Sequence, residues 1–493
     1  MDGPLVPTGD EHSPGTTPHD LLLQRIQGNI LKGHGRAYTR LILFWFDDDT
    51  PPEACRQLLR EAYASMPEES LVTTAYQQWL DARAKEARGT DRPFFSVGLS
   101  ISGLRRCGYV NNGDLPLQGA EGADGFTDSM RRTFRSLEKL PSGDPGWDAA
   151  YYNADGPHGV WLLAHENPAH ELEAMSDRVL QHLRDHGAHS RIGATEPVVE
   201  KGMKWTDALG QAREPFGFAD GISDPPFFAK DFSRTGANYY TTKWVNLPRS
   251  QVLLQADPGQ DPQHDGGSFL VLRKLEQLVE AFRQWERTTG VPGDLLVGRQ
   301  RDGTPLQPWD AEGQSRNNFS FDQGEAHCPF HAHIRKASPR INGPAMGDPQ
   351  TEIHQRATLF VRRGAVYGID RLPPRQTLLP EQAKTYLGRD GAAITGGVGL
   401  LFMAYMSSIK RQFRVMQSNW FGCPAFPDAK AQLGDPIIRP NAMLRGDPVH
   451  EWQWSQRPGS FPLTDFVQTR GGAYFYVPPI PWLKNPPRPS ARF

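Results

Sequence analysis

Cysteine is scarce in this chain: four in 493 residues, at positions 55, 107, 328 and 423, with no CxxC pair among them. Thiols so few and so scattered cannot build a disulfide framework. They predict free cysteines in a reducing compartment, with the cytoplasm as the expected location. Long apolar runs are missing too. None approaches the roughly 20 residues that a membrane-spanning helix needs, so no membrane partner is expected. An excess of one charge is also absent, since 54 basic residues stand against 56 acidic ones. No global field therefore draws the chain to nucleic acid or to an anionic bilayer. The stretch from Met1 to Pro18 lacks the basic start and apolar core of a secretory signal, and is polar and rich in Pro and Gly. Residues 1–22 are expected to be a disordered lead-in.

Several catalytic signatures are likewise missing. The glycine-rich segment Gly28–Arg36 has no GK[ST] ending and follows no predicted strand, which argues against a phosphate loop. No GxSxG elbow marks a hydrolase. His165-Glu166 has its next histidine at His170, one residue too far for the zinc-protease spacing HExxH.

What is present is a globular composition, 38% hydrophobic and 10% aromatic, with 49 glycines and 43 prolines that imply many ordered loops. The length allows two or three domains. Leu41–Phe46, Phe94–Leu99 and Val160–Ala164 are short apolar runs that predict buried strands, and Pro197–Glu200 can return as another. Between them Thr50–Glu53 starts a helix running to about Arg60, and Asn167-Pro168 starts one with Leu172, Met175, Val179 and Leu183 on one face. Gly187 closes that second helix. Residues 111–157 read as loop. The second half repeats the rhythm. Strands are predicted at Ser268–Leu272, Ala357–Val361, Gly399–Tyr405 and Tyr474–Val477. Helices are expected to carry Leu275, Leu278, Phe282 and Trp285, then Ile409, Phe413, Met416 and Trp420 after a Ser407 or Ser408 cap. Two β-α-β, β-α-β sets make an α+β fold of two ferredoxin-like domains with antiparallel sheets. Their expected limits are 23–224 and 225–493.

The densest chemistry lies at residues 327–340, where His327, Cys328, His331 and His333 fall within seven residues and Arg335, Lys336 and Arg340 follow. Neutral imidazole is the commonest protein metal ligand, and cations beside it point to an anionic group near a metal. A non-haem site built on His327, His331 and His333 is one reading, although no carboxylate lies in the segment to complete it. A solvated polar loop has the same composition. Gly217-Phe218-Ala219-Asp220-Gly221 sets an acid between glycines at the junction of the two halves. Arg362-Arg363-Gly364 follows a predicted core strand.

Taken together these blocks resemble the dye-decolorising peroxidases, a haem family of two ferredoxin-like domains. The GxxDG hallmark corresponds to Gly217, Asp220 and Gly221. The proximal segment corresponds to Cys328–Phe330, His333–Lys336 and Pro339-Arg340, and the distal arginine segment to Arg362–Gly364 with Tyr367-Gly368 after it. Gln27–Leu31 and Gly399–Phe402 are similar as well, so the likeness spans about residues 24 to 480. It implies haem b held mainly by the C-terminal domain, with His333 as axial iron ligand, preferred to His331 because the Arg335-Lys336 pair follows it after Ile334 alone. It further implies Asp220 as distal acid-base and Arg362 stabilising peroxide cleavage. Gly221 lies at the cofactor, Arg335 and Arg340 serve the haem propionates, and Leu401 and Phe402 form an apolar lid. The implied substrates are hydrogen peroxide and dyes, phenols or other aromatic electron donors. A haem carrier or iron-extracting protein on the same fold is the alternative, disfavoured by the intact Asp220 and Arg362. The natural donor and the oligomeric state are not legible.

Overall fold

The computed structural model describes residues 4–8, 15–63, 70–88, 92–109, 126–127, 130, 146–152, 156–193, 197–232, 244–254, 266–308, 317–321, 324–342, 344, 349–374, 387–431, 433–438 and 451–486. Most of the loop expected at 111–157 lies outside them. In the first half, strands β1 (Tyr38–Phe46), β2 (Phe94–Leu99), β3 (Gly159–His165), β4 (Ala188–His189) and β5 (Val199–Met203) alternate with helices. The second half supplies β6 (Ser268–Gln277), β7 (Val361–Arg362), β8 (Ala365–Tyr367), β9 (Gly399–Met406), the hairpin β10 (Glu451–Trp454) and β11 (Arg457–Pro462), and β12 (Val467–Val477).

Within the first half the strands lie in the order β2-β3-β1-β5, and within the second in the order β12-β6-β9-β8. Both are the ferredoxin-like arrangement, antiparallel throughout. The two sheets are not separate layers, however. β2 pairs with β12 through Leu99 and Tyr476, and β5 pairs with β8 through Gly202–Tyr367 and Met203–Val366. With β1 also paired to β3, eight strands close into one ring. The seam at β2 is narrow and is held by a buried amide. Gln27 donates to the carbonyls of Val97 (3.1 Å) and Pro478 (2.8 Å) and accepts from Val97 N–H and Ser96 Oγ.

Strands β1, β2 and β3 form at apolar runs without polar alternation. β1 is buried at eight of its nine positions, as expected of a strand covered on both faces. The helix Glu171–Asp185 buries Leu172, Met175, Val179 and Leu183 as its spacing requires.

Several local expectations are corrected. Thr50 does not cap the helix Pro52–Glu61; its hydroxyl donates to Gly187 O (2.6 Å), and the proline-led helix has no side-chain cap. Leu275 lies on the longer strand β6, and its helix begins only at Val279. Residues 351–357 are helical, leaving a strand of just two residues at β7. The lead-in is not loose where it is described. Leu5 is buried and exchanges backbone hydrogen bonds with Phe227 and Ala229. Thr17 and Asp20 cap the helix Pro18–Arg25 reciprocally. Among the described residues no helix is long and apolar enough to cross a membrane.

Candidate functional site

A cavity of about 590 Å³ opens against one face of the ring. Strand geometry decides which side chains reach it. Successive side chains of a strand point to opposite faces, so Arg273, Leu275 and Gln277 of β6 line the cavity together with Leu400 and Phe402 of β9. Leu401 belongs to the other face: it is completely buried in the core within the ring and lines nothing. The expected apolar pair therefore consists of Leu400 and Phe402. Phe402 meets Phe360 edge to face at 6.3 Å.

The segment 327–340 is helical from His333 to Ala337, and this separates its residues. His333 lines the cavity, stacked on Phe421 at 5.7 Å. Its Nδ1 lies 2.6 Å from Oδ2 of Asp435, a fully buried carboxylate whose Oδ1 accepts the N–H groups of Ile437 (2.8 Å) and Ile438 (3.1 Å). An ionised carboxylate only accepts, so the imidazole proton sits on Nδ1 and the lone pair is left on Nε2. Asp435 stands 102 residues from His333 in the chain. No spacing rule could have named it; Asp435-Pro436 reads in sequence as an ordinary turn.

Arg335 does not reach the cavity. Two residues along a helix turn a side chain by about 200°, so Arg335 points away from the cavity that His333 lines, against the expectation that it serves the haem propionates. It is buried instead between the rings of Phe321 and Phe330 and donates to Cys328 O at 2.8 Å. His331 is buried edge-on against Trp452, and burial holds its imidazole down to about 3. His327 is exposed and also off the cavity. The three histidines thus do not converge, and among the described residues no cluster of three His, Cys, Asp or Glu side chains could hold a metal ion.

Arg340 does line the cavity, from a left-handed backbone (φ +50°), and donates to Asn317 O (2.6 Å) and Oδ1 (2.9 Å). Arg299, which the sequence reading missed, donates to the same Oδ1 at 2.9 Å. Burial and the charge of Arg362 push Arg299 down to about 10. Burial, with Arg299 and Arg362 nearby, lowers Arg340 strongly. Among the described residues no carboxylate pairs with Arg299, Arg340 or Arg362. Three guanidiniums gathered at one wall of the cavity call for an anion from outside the chain.

Asp220 and Arg362 meet at one loop. The carboxylate of Asp220 is exposed to the cavity, with Oδ1 taking the N–H of Gly221 at 2.7 Å, while Arg362 donates to Ile222 O at 3.0 Å. Gly217 (φ +94°) and Gly221 (φ +76°) supply the left-handed turns the loop requires. Its base is pinned by the buried pair Arg213–Asp207 at 2.6 Å. The neighbouring Arg363 does scaffold work, donating to Asp224 (2.6 Å), Asn29 O and Ile30 O.

No family model matches the chain. Known proteins do. The multifunctional dye peroxidase DyP2 of Amycolatopsis sp. (strain ATCC 39116 / 75iv2) is 31% identical over 94% of this chain and 96% of its own. A dye-decolorizing peroxidase of Exidia glandulosa is 27% identical over 97% and 88%. Among solved structures, the DyP-type peroxidase of Anabaena sp. superposes with a TM-score of 0.76 at 26% identity, covering 95% of both chains. DyP2 superposes with a TM-score of 0.72 over 98% of this chain and all of its own. On this likeness along nearly its whole length, the chain is a peroxidase and belongs to the dye-decolorizing peroxidase family.

Proposed function

We propose that the cavity holds haem b and that the protein uses it to reduce hydrogen peroxide and oxidise dyes, phenols or other aromatic donors. The observation that carries this reading is the His333–Asp435 pair, which leaves a lone pair on Nε2 at a cavity that Arg299, Arg340, Arg362 and Asp220 also line. The donor set fits the cofactor: one oriented imidazole for the iron, and Arg299 and Arg340 for the carboxylates of the porphyrin edge. Haem, when bound, supplies the redox centre that takes oxidising equivalents from peroxide.

The chain's own groups would do the rest. Most of the cofactor's holding residues (His333, Arg299 and Arg340) come from the second half, while the first supplies Asp220 on its loop beside Gly221. Asp220 would take a proton from one peroxide oxygen and return it to the other, at Oδ2, since Oδ1 is engaged with Gly221 N–H. A carboxylate remains a base at lower pH than an imidazole does, so the reaction should run best in acid. Arg362 would orient peroxide and stabilise the charge developing on the leaving oxygen. Leu400 and Phe402 would keep bulky donors away from the reacting oxygens. The test is an absorption spectrum of haem-supplemented protein. A Soret band that shifts with one equivalent of peroxide, and that His333→Ala abolishes, is the expected result. Absence of the band in the unmodified chain would reject the reading.

A further inference from the structure

Behind the cavity wall a single amide oxygen collects three donors. Asn317 is completely buried and does not itself line the cavity. Its Oδ1 accepts from Arg299 (2.9 Å), from Arg340 (2.9 Å) and from the hydroxyl of Ser223 (2.8 Å). Its backbone carbonyl takes a second bond from Arg340 at 2.6 Å. A guanidinium only donates, so the amide must turn its oxygen, not its nitrogen, toward the two arginines. Phe319 holds both guanidiniums from another side, its ring centroid lying 5.3 Å from the central carbon of Arg299 and 4.0 Å from that of Arg340. Ser223 has a left-handed backbone (φ +72°) and follows Ile222, whose carbonyl accepts from Arg362 at 3.0 Å. One neutral side chain thus joins the loop that carries Asp220 to the arginine wall of the second half.

We propose that Asn317 is a positioning residue, which fixes the directions of Arg299 and Arg340 while leaving their charge unmatched by any carboxylate among the described residues. The wall then stays open to a carboxylate ligand. This rests on the haem reading above, in which the ligand is the pair of carboxylates at the porphyrin edge. The argument is one of charge. Buried cations are ordinarily matched by an acid beside them. An aspartate has the shape of Asn317 and would receive the same three bonds about twice as strongly, since its oxygens are ionised. The amide supplies the same geometry and cancels neither charge. Guanidiniums held on an amide attract an anion; the same pair held on a carboxylate would attract it far less.

The experiment compares the full chain with Asn317→Asp, which exchanges one NH2 for an oxygen, first without haem and then with it. The two readouts should move in opposite directions. The urea midpoint of the haem-free variant should rise, because the new carboxylate pairs cations that are buried already. Haem should pass to apomyoglobin about 10-fold faster or more, because the wall has lost one unit of positive charge. Asn317→Ala removes the acceptor and should lower the midpoint and speed haem loss together, as any purely structural defect does. A haem-free Asn317→Asp chain that is no more stable than the parent, or that fails to fold, would overturn the proposal. So would haem retention equal to the parent's, which would leave Asn317 a structural acceptor only. A parent chain that binds no haem would reject the haem reading instead, and the urea midpoints would then decide alone whether the arginines carry unmatched charge.

Discussion

At the residue scale the informative pair is His333 and Asp435. Asp435→Asn keeps a hydrogen-bonding partner for Nδ1 but removes its charge, which under the proposed haem ligation would make the imidazole a poorer donor to iron. The reduction potential of the bound haem should rise, and haem affinity should fall by about 10- to 100-fold, the usual range for the partner of a ligating histidine. Potentiometric titration and haem transfer to apomyoglobin measure the two effects. Asp220→Asn addresses the other side of the chemistry. The Soret band should persist while the rate of peroxide cleavage drops by about 10²- to 10⁴-fold. Stopped-flow spectra between pH 3 and 6 give that rate, and an unchanged pH profile would remove Asp220 from the proton path.

At the scale of elements, alternation along β9 makes neighbouring residues answer to different demands. Leu401→Ala empties a fully buried site in the ring and should cost about 2–5 kcal/mol in denaturant unfolding, with the haem spectrum unaltered. Leu400→Ala, at the cavity wall, should cost less and instead raise kcat/KM for bulky donors relative to small ones. Comparing both variants with one small phenol and one large dye separates the two faces. The same element shows what was legible in sequence. Gly399–Tyr405 is strand by composition alone, and β1, β2 and β3 are equally plain, because an unbroken apolar run has few alternatives. Which of Leu400, Leu401 and Phe402 faces the cavity depends on where the strand is anchored, which only its pairing with β6 fixes. Arg335 was misplaced for a related reason: its direction follows from the short helix His333–Ala337, which no apolar spacing announces. The GxxDG loop, His333, Arg340 and Arg362 were readable as motif residues. Asp435 and Arg299 were not, since their roles arise from contacts far along the chain.

At the scale of the whole molecule, acid is the condition to examine. His34 has an ordinary value of 6.5, which burial, with Arg36 and Arg363 near it, lowers to about 3. It accepts Arg36 N–H on Nδ1 and meets Thr39 Oγ1 through Nε2, an arrangement that requires neutral imidazole. Between pH 6.5 and 3 the unfolded chain binds this proton and the folded chain refuses it. Stability conferred by the neutral ring is thus full above 6.5 and lost as pH falls toward 3. Urea midpoints should decline over that window, and His34→Gln should flatten the decline. A slope identical in both proteins would assign the acid sensitivity elsewhere. The range in which Asp220 is expected to work best is then one in which the scaffold is losing stability.

The ring also bears on how the chain is made. β2 leaves the ribosome early, yet its partner β12 is among the last segments to emerge. Until the second half emerges the first sheet keeps two unpaired borders, at β2 and at β5; β8 can cover β5, whereas β2 must wait for β12. A nascent chain interrupted before residue 467 would retain an open border at β2 and another at β6. Such a product is a natural substrate for chaperones, and completion of the final strand is the event that retires it.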